Sequence, residues 1–243
     1  MIIIDTMIKN NIAFDLEATG LSVETDQIIE IGALKVRNGK IVDRFMEFLK
    51  PDKPISSIIT GITGITNAMV ADARNTKAVI RDFVEFCEDD VLIGHNIMFD
   101  YKFCKLYAQK YGYAFEKKGI DTLKIARKVH KDLDSKSLGV LCEYYDIKNQ
   151  AAHRAYHDAL ATAKLYQCMA HFYESQDMKL FEPIQLMYKQ KKVQPITKKQ
   201  MDYIGTLCKY HNLCPEQNVT EMTRSEASKF IDSIISKYGM INY

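Results

Sequence analysis

The tetrapeptide Arg37-Asn38-Gly39-Lys40 lies between two apolar runs, Gln27–Val36 and Ile41–Leu49. Asn-Gly tolerates positive φ at both central turn positions, so in this setting it is the strongest short-range signal for a tight antiparallel hairpin. The stretch just upstream, Asn11–Gly20, alternates Ile12, Phe14 and Leu16 with Ala13, Asp15 and Glu17. That period-two pattern predicts another strand and puts Asp15 and Glu17 on one face of it. The chain should therefore open with an antiparallel meander.

The periodicity then changes. Val79, Ile80, Phe83, Val84 and Cys87 predict a helix over Thr76–Asp89, and Val91–Ile93 reads as a short strand ending at Gly94-His95-Asn96. Helices follow at about Phe99–Tyr111, after caps at Asp121 and at Ser135–Ser137, and over about Arg154–Tyr173. Strands first, with β and α alternating later, give an α/β class: a mixed sheet flanked by helices. The pattern weakens over 174–195, which we expect to be a partly basic linker. Residues 196–243 should form a small helical module. Its two helices open with capping boxes at Thr197-Lys-Lys-Gln200 and Thr223-Arg-Ser-Glu226.

The 243 residues carry 33 basic and 31 acidic groups, a net charge of +2. No global field attracts polyanions, so any such contact must be local. Residues 174–243 hold 10 basic and 8 acidic groups, and Lys189, Lys191, Lys192, Lys198 and Lys199 form an acid-free stretch around Pro195. That stretch is either a solvated linker or a backbone contact. The cysteines Cys87, Cys104, Cys142, Cys168, Cys208 and Cys214 contain no Cys-x-x-Cys pair. We expect reduced core thiols in a cytoplasmic protein. The start, Met1–Asp5, lacks a basic leader and a cleavage site, and no apolar run is long enough for a bilayer, so neither a secretory signal nor a membrane role is expected.

Three clusters carry candidate chemistry. Two acids at i and i+2 on a buried strand are costly unless neutralised, and strand-borne carboxylates suit Mg²⁺ or Mn²⁺. Alone, Asp15-x-Glu17 is read more simply as one buried acid and one in water. Gly94-His95-Asn96-Ile97-Met98-Phe99-Asp100 follows a strand end, where α/β folds place sites, but capping by Asn96 explains it as well. In His153-Arg-Ala-Tyr-His157-Asp158 the two histidines also have the four-residue spacing of helical zinc ligands, although no third nitrogen or sulfur ligand is evident nearby. Spacing does not choose between His153 and His157.

Together, Phe14-Asp-Leu-Glu-Ala-Thr-Gly20, Gly94-His-Asn-Ile-Met-Phe-Asp100 and His153-x-x-x-x-Asp158 resemble, in order and spacing, the three motifs of the DEDDh 3′–5′ exonucleases. That family includes the proofreading subunit of bacterial replicative polymerase III and its stand-alone relatives. Thr63-Gly-Ile-Thr-Asn-Ala-Met-Val70 and Ile120-Asp-Thr-Leu also look like its loop and its strand-to-helix step. The resemblance covers 11–173 and implies an RNase H-like fold. It implies that Asp15, Glu17, Asp100 and Asp158 hold two divalent metal ions and that His153 is the general base, leaving His157 without a role. It further implies substrate contacts at Leu16, Thr19, Gly64, Ile65, His95, Asn96 and Phe99.

The implied reaction releases nucleoside 5′-monophosphates from a single-stranded or frayed 3′ end. The implied partners are nucleic acid and a DNA polymerase or replication protein. The shared motifs fit an RNA-trimming exonuclease equally well. An inactive nuclease-like binding module is disfavoured, because all five catalytic positions carry competent side chains. Phe181-Glu-Pro-Ile-Gln-Leu-Met-Tyr188 also looks faintly like a sliding-clamp peptide.

Overall fold

A computed structural model describes residues 8–149, 151–189, 194–214 and 218–241. The start of the chain and Lys191 and Lys192 lie outside the described residues. The chain divides into two compact units between Tyr188 and Lys189.

The first unit opens with β1 (Asn11–Ala18), β2 (Ile28–Arg37) and β3 (Lys40–Phe48). They form the expected meander, with Asn38 and Gly39 at φ 50° and 73° in the turn. Two short helices follow, α1 (Ser57–Thr63) and α2 (Asn67–Val70), capped by the Ser56 and Thr66 side chains. They are too short to show periodicity, and the sequence reading did not place them. Next come α3 (Thr76–Cys87), β4 (Val91–Gly94), α4 (Met98–Lys110), β5 (Lys118–Asp121) and α5 (Thr122–Val129). Then come α6 (Leu138–Tyr144), α7 (Ala155–Tyr173), a 3₁₀ turn at Met178–Phe181 and β6 (Ile184–Gln185). Asp121 and Ser137 cap α5 and α6, as expected.

The strand order is β3-β2-β1-β4-β5-β6. β1–β2 and β2–β3 pair antiparallel, β1–β4 and β4–β5 pair parallel, and β6 closes the far edge antiparallel to β5. This is a mixed six-stranded sheet of RNase H-like fold. One core, around Phe14, Phe83, Tyr101, Phe103 and Phe115, involves α3 and α4. The other, around Leu34, Ile93, Leu165, Tyr166 and Met169, involves α7. The sheet is thus buried on both faces, which is why β2 reads as a nearly unbroken apolar run.

The expected linker is shorter than 174–195. Phe181 and Leu186 are each 2% exposed, and the Leu186 amide donates to the Lys117 carbonyl at 2.9 Å. Burial of two large apolar side chains keeps this stretch on the first unit. It also removes Phe181 and Leu186 from display as a clamp-binding peptide. The cysteines are free thiols, four of them buried and Cys168 half-buried, but Cys214 is exposed and is no core residue.

The second unit contains α8 (Lys198–Tyr210) and α9 (Arg224–Tyr238). Both expected capping boxes form. Its own small core joins Ile196, Ile204, Leu207, Met222, Ala227 and Ile234, and Pro195 forms a β-bridge with Thr223.

Gly32 fixes where α7 meets the sheet. It stands opposite Asp15 in the β1–β2 register, and a Cβ there would overlap the backbone of Ala155 and Tyr156 at the start of α7. Only a residue without a side chain lets that helix end approach so closely. Gly32→Ala should therefore lower the melting temperature and weaken Mn²⁺ binding by at least ~10-fold, because Asp158 rides on the first turn of α7. Thermal unfolding and Mn²⁺ titration check this, and Gly139→Ala, at an open helical position, should do neither.

Candidate active site

Asp15 and Glu17 project from β1, Asp100 from the first turn of α4, and Asp158 from the first turn of α7. Parallel pairing of β1 with β4 brings the motif that follows β4 beside the first strand. The Leu16 amide donates to Asp100 Oδ1 at 3.1 Å, which ties the second motif directly to the first. Asp158 is held twice: Asn149 Nδ2 donates to Oδ1 at 2.7 Å, and the His153 amide donates to Oδ2 at 2.8 Å. Ligand atoms of Glu17, His153 and Asp158 lie within 4.8 Å of one another.

The electrostatics are unfavourable for four bare carboxylates. Burial, then Asp100, Asp158, Glu17 and Glu30, hold the Asp15 carboxyl well above its ordinary range. Burial, then chiefly Glu17 and Asp121, raise Asp100, against the lowering pull of the Leu16 amide. Burial, Asp158 and Glu30 push Glu17 up to about 8, opposed by Arg154. Like charges sharing a poorly solvated site cannot all ionise without a counter-cation. The donor set is almost wholly carboxylate oxygen, which matches hard divalent cations. The residues therefore fit the metals implied for this type of nuclease.

A fifth acid was not legible in the motifs. Glu30 sits directly opposite Glu17 in the β1–β2 ladder and is 4% exposed. Facing like charges on neighbouring strands destabilise a sheet. Arg154 resolves the conflict. Its Nη2 reaches Glu30 Oε1 at 2.9 Å and its Nε reaches Oε2 at 3.1 Å, while the Ala155 amide donates to Oε2 at 3.1 Å. This two-pronged pair fastens the segment carrying His153 to the sheet. Arg154 lies within the third motif, but its partner follows only from strand register.

His153 lies just before α7, exposed, with φ 62°. A non-glycine residue in the left-handed region is uncommon and marks a position held by its surroundings. Because His153 precedes the helix, it does not share a helical face with His157, and the geometric premise of the zinc reading fails. Among the described residues His157 joins no group able to hold a metal.

The other expected substrate contacts divide. Phe99 is half-buried against Phe103, with ring centroids 5.3 Å apart. Thr19 Oγ1 accepts from the Gln27 amide at 2.9 Å. Asn96 is exposed with φ 68°, and its amide donates to Asp121 Oδ1 at 3.0 Å. Both ring nitrogens of His95 are engaged, by Thr122 Oγ1 and the Lys136 carbonyl, each at 2.9 Å, and burial lowers its pKa. Gly64 is an exposed left-handed cap of α1. Two expectations need correction. Ile65 is fully buried beside Ile29, Ile55 and Val70, so its side chain packs a core and does not face a base. The Leu16 side chain is likewise core, and its contribution to the site is the backbone amide.

An RNase H-like sheet with three motifs converging at the ends of β1 and β4 defines a nuclease. The sequence profile of the exonuclease family (RNase_T) matches residues 12–166. The chain belongs to that family and is a 3′–5′ exonuclease of the DEDDh type, a type that uses divalent metals. It is 45% identical over 155 residues to the PolC-type DNA polymerase III of Caldanaerobacter subterraneus subsp. tengcongensis, a match covering 64% of this chain and 11% of that protein. The chain thus matches only about a tenth of that polymerase. The structure of Exonuclease X with 5′-overhanging duplex DNA is 26% identical, with a TM-score of 0.55, covering 70% of this chain and 99% of that one. The nuclease domain of 3′hExo, a DEDDh family member bound to rAMP, shares the fold at 20% identity and a TM-score of 0.60, over 74% of this chain and 98% of that one.

Crowded acids give a prediction for the metal-free protein. Glu17→Gln should raise the melting temperature in EDTA at pH 9, where the parent's carboxyl is ionised, and change it little at pH 6, and near neutral pH it should abolish most of the stabilisation that Mn²⁺ gives the parent. Calorimetric melts with and without Mn²⁺ check both halves.

Proposed function

We propose that this chain removes nucleotides one at a time from single-stranded or frayed 3′ ends of DNA, in the cytoplasm, releasing nucleoside 5′-monophosphates. The observation that carries the proposal is the convergence of Asp15, Glu17, Asp100, Asp158 and His153 from separate segments. Two ions of Mg²⁺ or Mn²⁺, when bound, would offset the phosphodiester's charge and stabilise the entering and leaving oxygens.

Asp15, Glu17, Asp100 and Asp158 would hold those ions, with Asn149 and the His153 amide keeping Asp158 in a fixed rotamer. His153 is the one imidazole in the cluster and is open to solvent, so it can take the proton from the attacking water and return it to bulk. Arg154, bound to Glu30, keeps that histidine near the sheet. Phe99, Thr19 and Gly64 would meet the terminal nucleotide, and Asn96 and His95 shape the loop beside it.

DNA is the substrate favoured by the relationship to a PolC-type DNA polymerase. A replication polymerase is accordingly the proposed partner, supplying the 3′ ends. Degradation of 3′-labelled and 5′-labelled single-stranded DNA and RNA, with Mg²⁺, Mn²⁺ or EDTA, tests the reading. We expect 3′-to-5′ loss of mononucleotides from DNA, abolished by EDTA. A clear preference for RNA would replace the substrate assignment, and no cleavage of either would overturn the function. His153→Ala should lower kcat by at least ~10²-fold, the usual worth of a general base, whereas His157→Ala should stay within about threefold of the parent.

A further inference from the structure

The two units differ in charge. Residues 1–188 carry 24 basic and 26 acidic groups, whereas 189–243 carry 9 basic and 5 acidic. The catalytic unit is therefore slightly anionic and gathers its acids where a polyanion must enter. Affinity for nucleic acid rests largely on neutralised phosphates, so this unit is poorly equipped to hold a strand by itself.

The outer face of α8 is built differently. Lys198, Lys199 and Lys209 are exposed along it, with Gly205 and Thr206 between them, and Asp202 is its only acid. Among the described residues no ion pair engages these lysines. Lys198 and Lys199 occupy the first turn, which holds no acid, although the helix dipole disfavours cations there. A locally unfavourable choice left unpaired points to a ligand that supplies the anion.

Aromatic rings stand at the other end of the same helix. Tyr210 is 50% exposed and Tyr238 is 44% exposed. His211 lies between them, its ring 4.9 Å from Tyr210 and 5.7 Å from Tyr238, and it is fixed by a 3.1 Å contact from Nε2 to the Gly239 carbonyl. Lys237 Nζ lies 5.1 Å from the Tyr238 ring centre. Cations along a helix that ends in exposed, braced aromatic faces are the two elements of sequence-tolerant single-strand binding: phosphate contact and base stacking. Thirteen residues of helix span about 20 Å, room for roughly three extended nucleotides.

We infer that the second unit is a single-stranded nucleic-acid holding module, with Lys198, Lys199 and Lys209 on phosphates and Tyr210 and Tyr238 stacking on bases. The inference rests on the proposed nuclease function only for the identity of the polymer. The module grips the strand, retaining substrate between successive cuts.

The test uses the full chain in EDTA, where cleavage does not interfere, with a labelled oligothymidylate and fluorescence anisotropy over a salt series. Lys198→Gln/Lys199→Gln/Lys209→Gln should weaken binding by at least ~10-fold at low salt and reduce the slope of log K against log salt by about 2 for three lost single-strand contacts. Tyr210→Ala should weaken binding by about 5-fold or more with the slope unchanged. Lys198→Arg/Lys199→Arg/Lys209→Arg should bind like the parent, which guards against a folding defect. With Mn²⁺, kcat on a thymidine dinucleotide should be the same in all variants, because none of them alters the catalytic unit. Unchanged affinity and slope in the glutamine variant would overturn the inference and would leave this face for a protein partner. Loss of dinucleotide cleavage by the parent would instead count against the nuclease function.

Discussion

The first unit is organised around a repulsion. Four carboxylates from β1, α4 and α7 are held where solvent screens them poorly, and a fifth, Glu30, stands across the ladder from one of them. Left alone, such a group would spread apart or protonate. The fold prevents spreading with backbone-to-carboxylate bonds, from Leu16 to Asp100 and from His153 to Asp158, and with one arginine paired to Glu30. Stability is given up locally for a site whose unmet need is positive charge.

Everything that approaches this point does so by a small-residue or strand-register device. Gly32 admits the start of α7, and the antiparallel β1–β2 ladder beside the parallel β1–β4 pair sets the first two motifs next to each other. The Asp121 carboxylate receives amides from both Asn96 and Leu123, linking the loop after β4 to the cap of α5. The result is a rigid frame with one exposed base, His153, at its rim.

Much of this was legible in the residues. Asn38-Gly39 dictated the hairpin, the alternation about Asp15 dictated the first strand, and Thr197 and Thr223 announced the last two helices. These signals are local, so sequence carries them. What was missed depends on distance in the chain. The Glu30–Arg154 pair joins residues 124 apart and follows only from register. Asn149 sits in a loop with no pattern of its own. Ile65 looked like a surface loop residue because its neighbours are polar or small, yet Ile29 and Val70 enclose it. The stretch containing Phe181 and Leu186 lacked periodicity because a 3₁₀ turn and a two-residue strand are too short to show any.

The central claim is that the converging acids exist to bind paired divalent cations. Anomalous diffraction from crystals soaked with Mn²⁺ and a nucleoside 5′-monophosphate tests it most directly. The account predicts two peaks bounded by the carboxylates of Asp15, Glu17, Asp100 and Asp158, with His153 near the phosphate. Nucleotide density at the site with no manganese peak between those four side chains would contradict it.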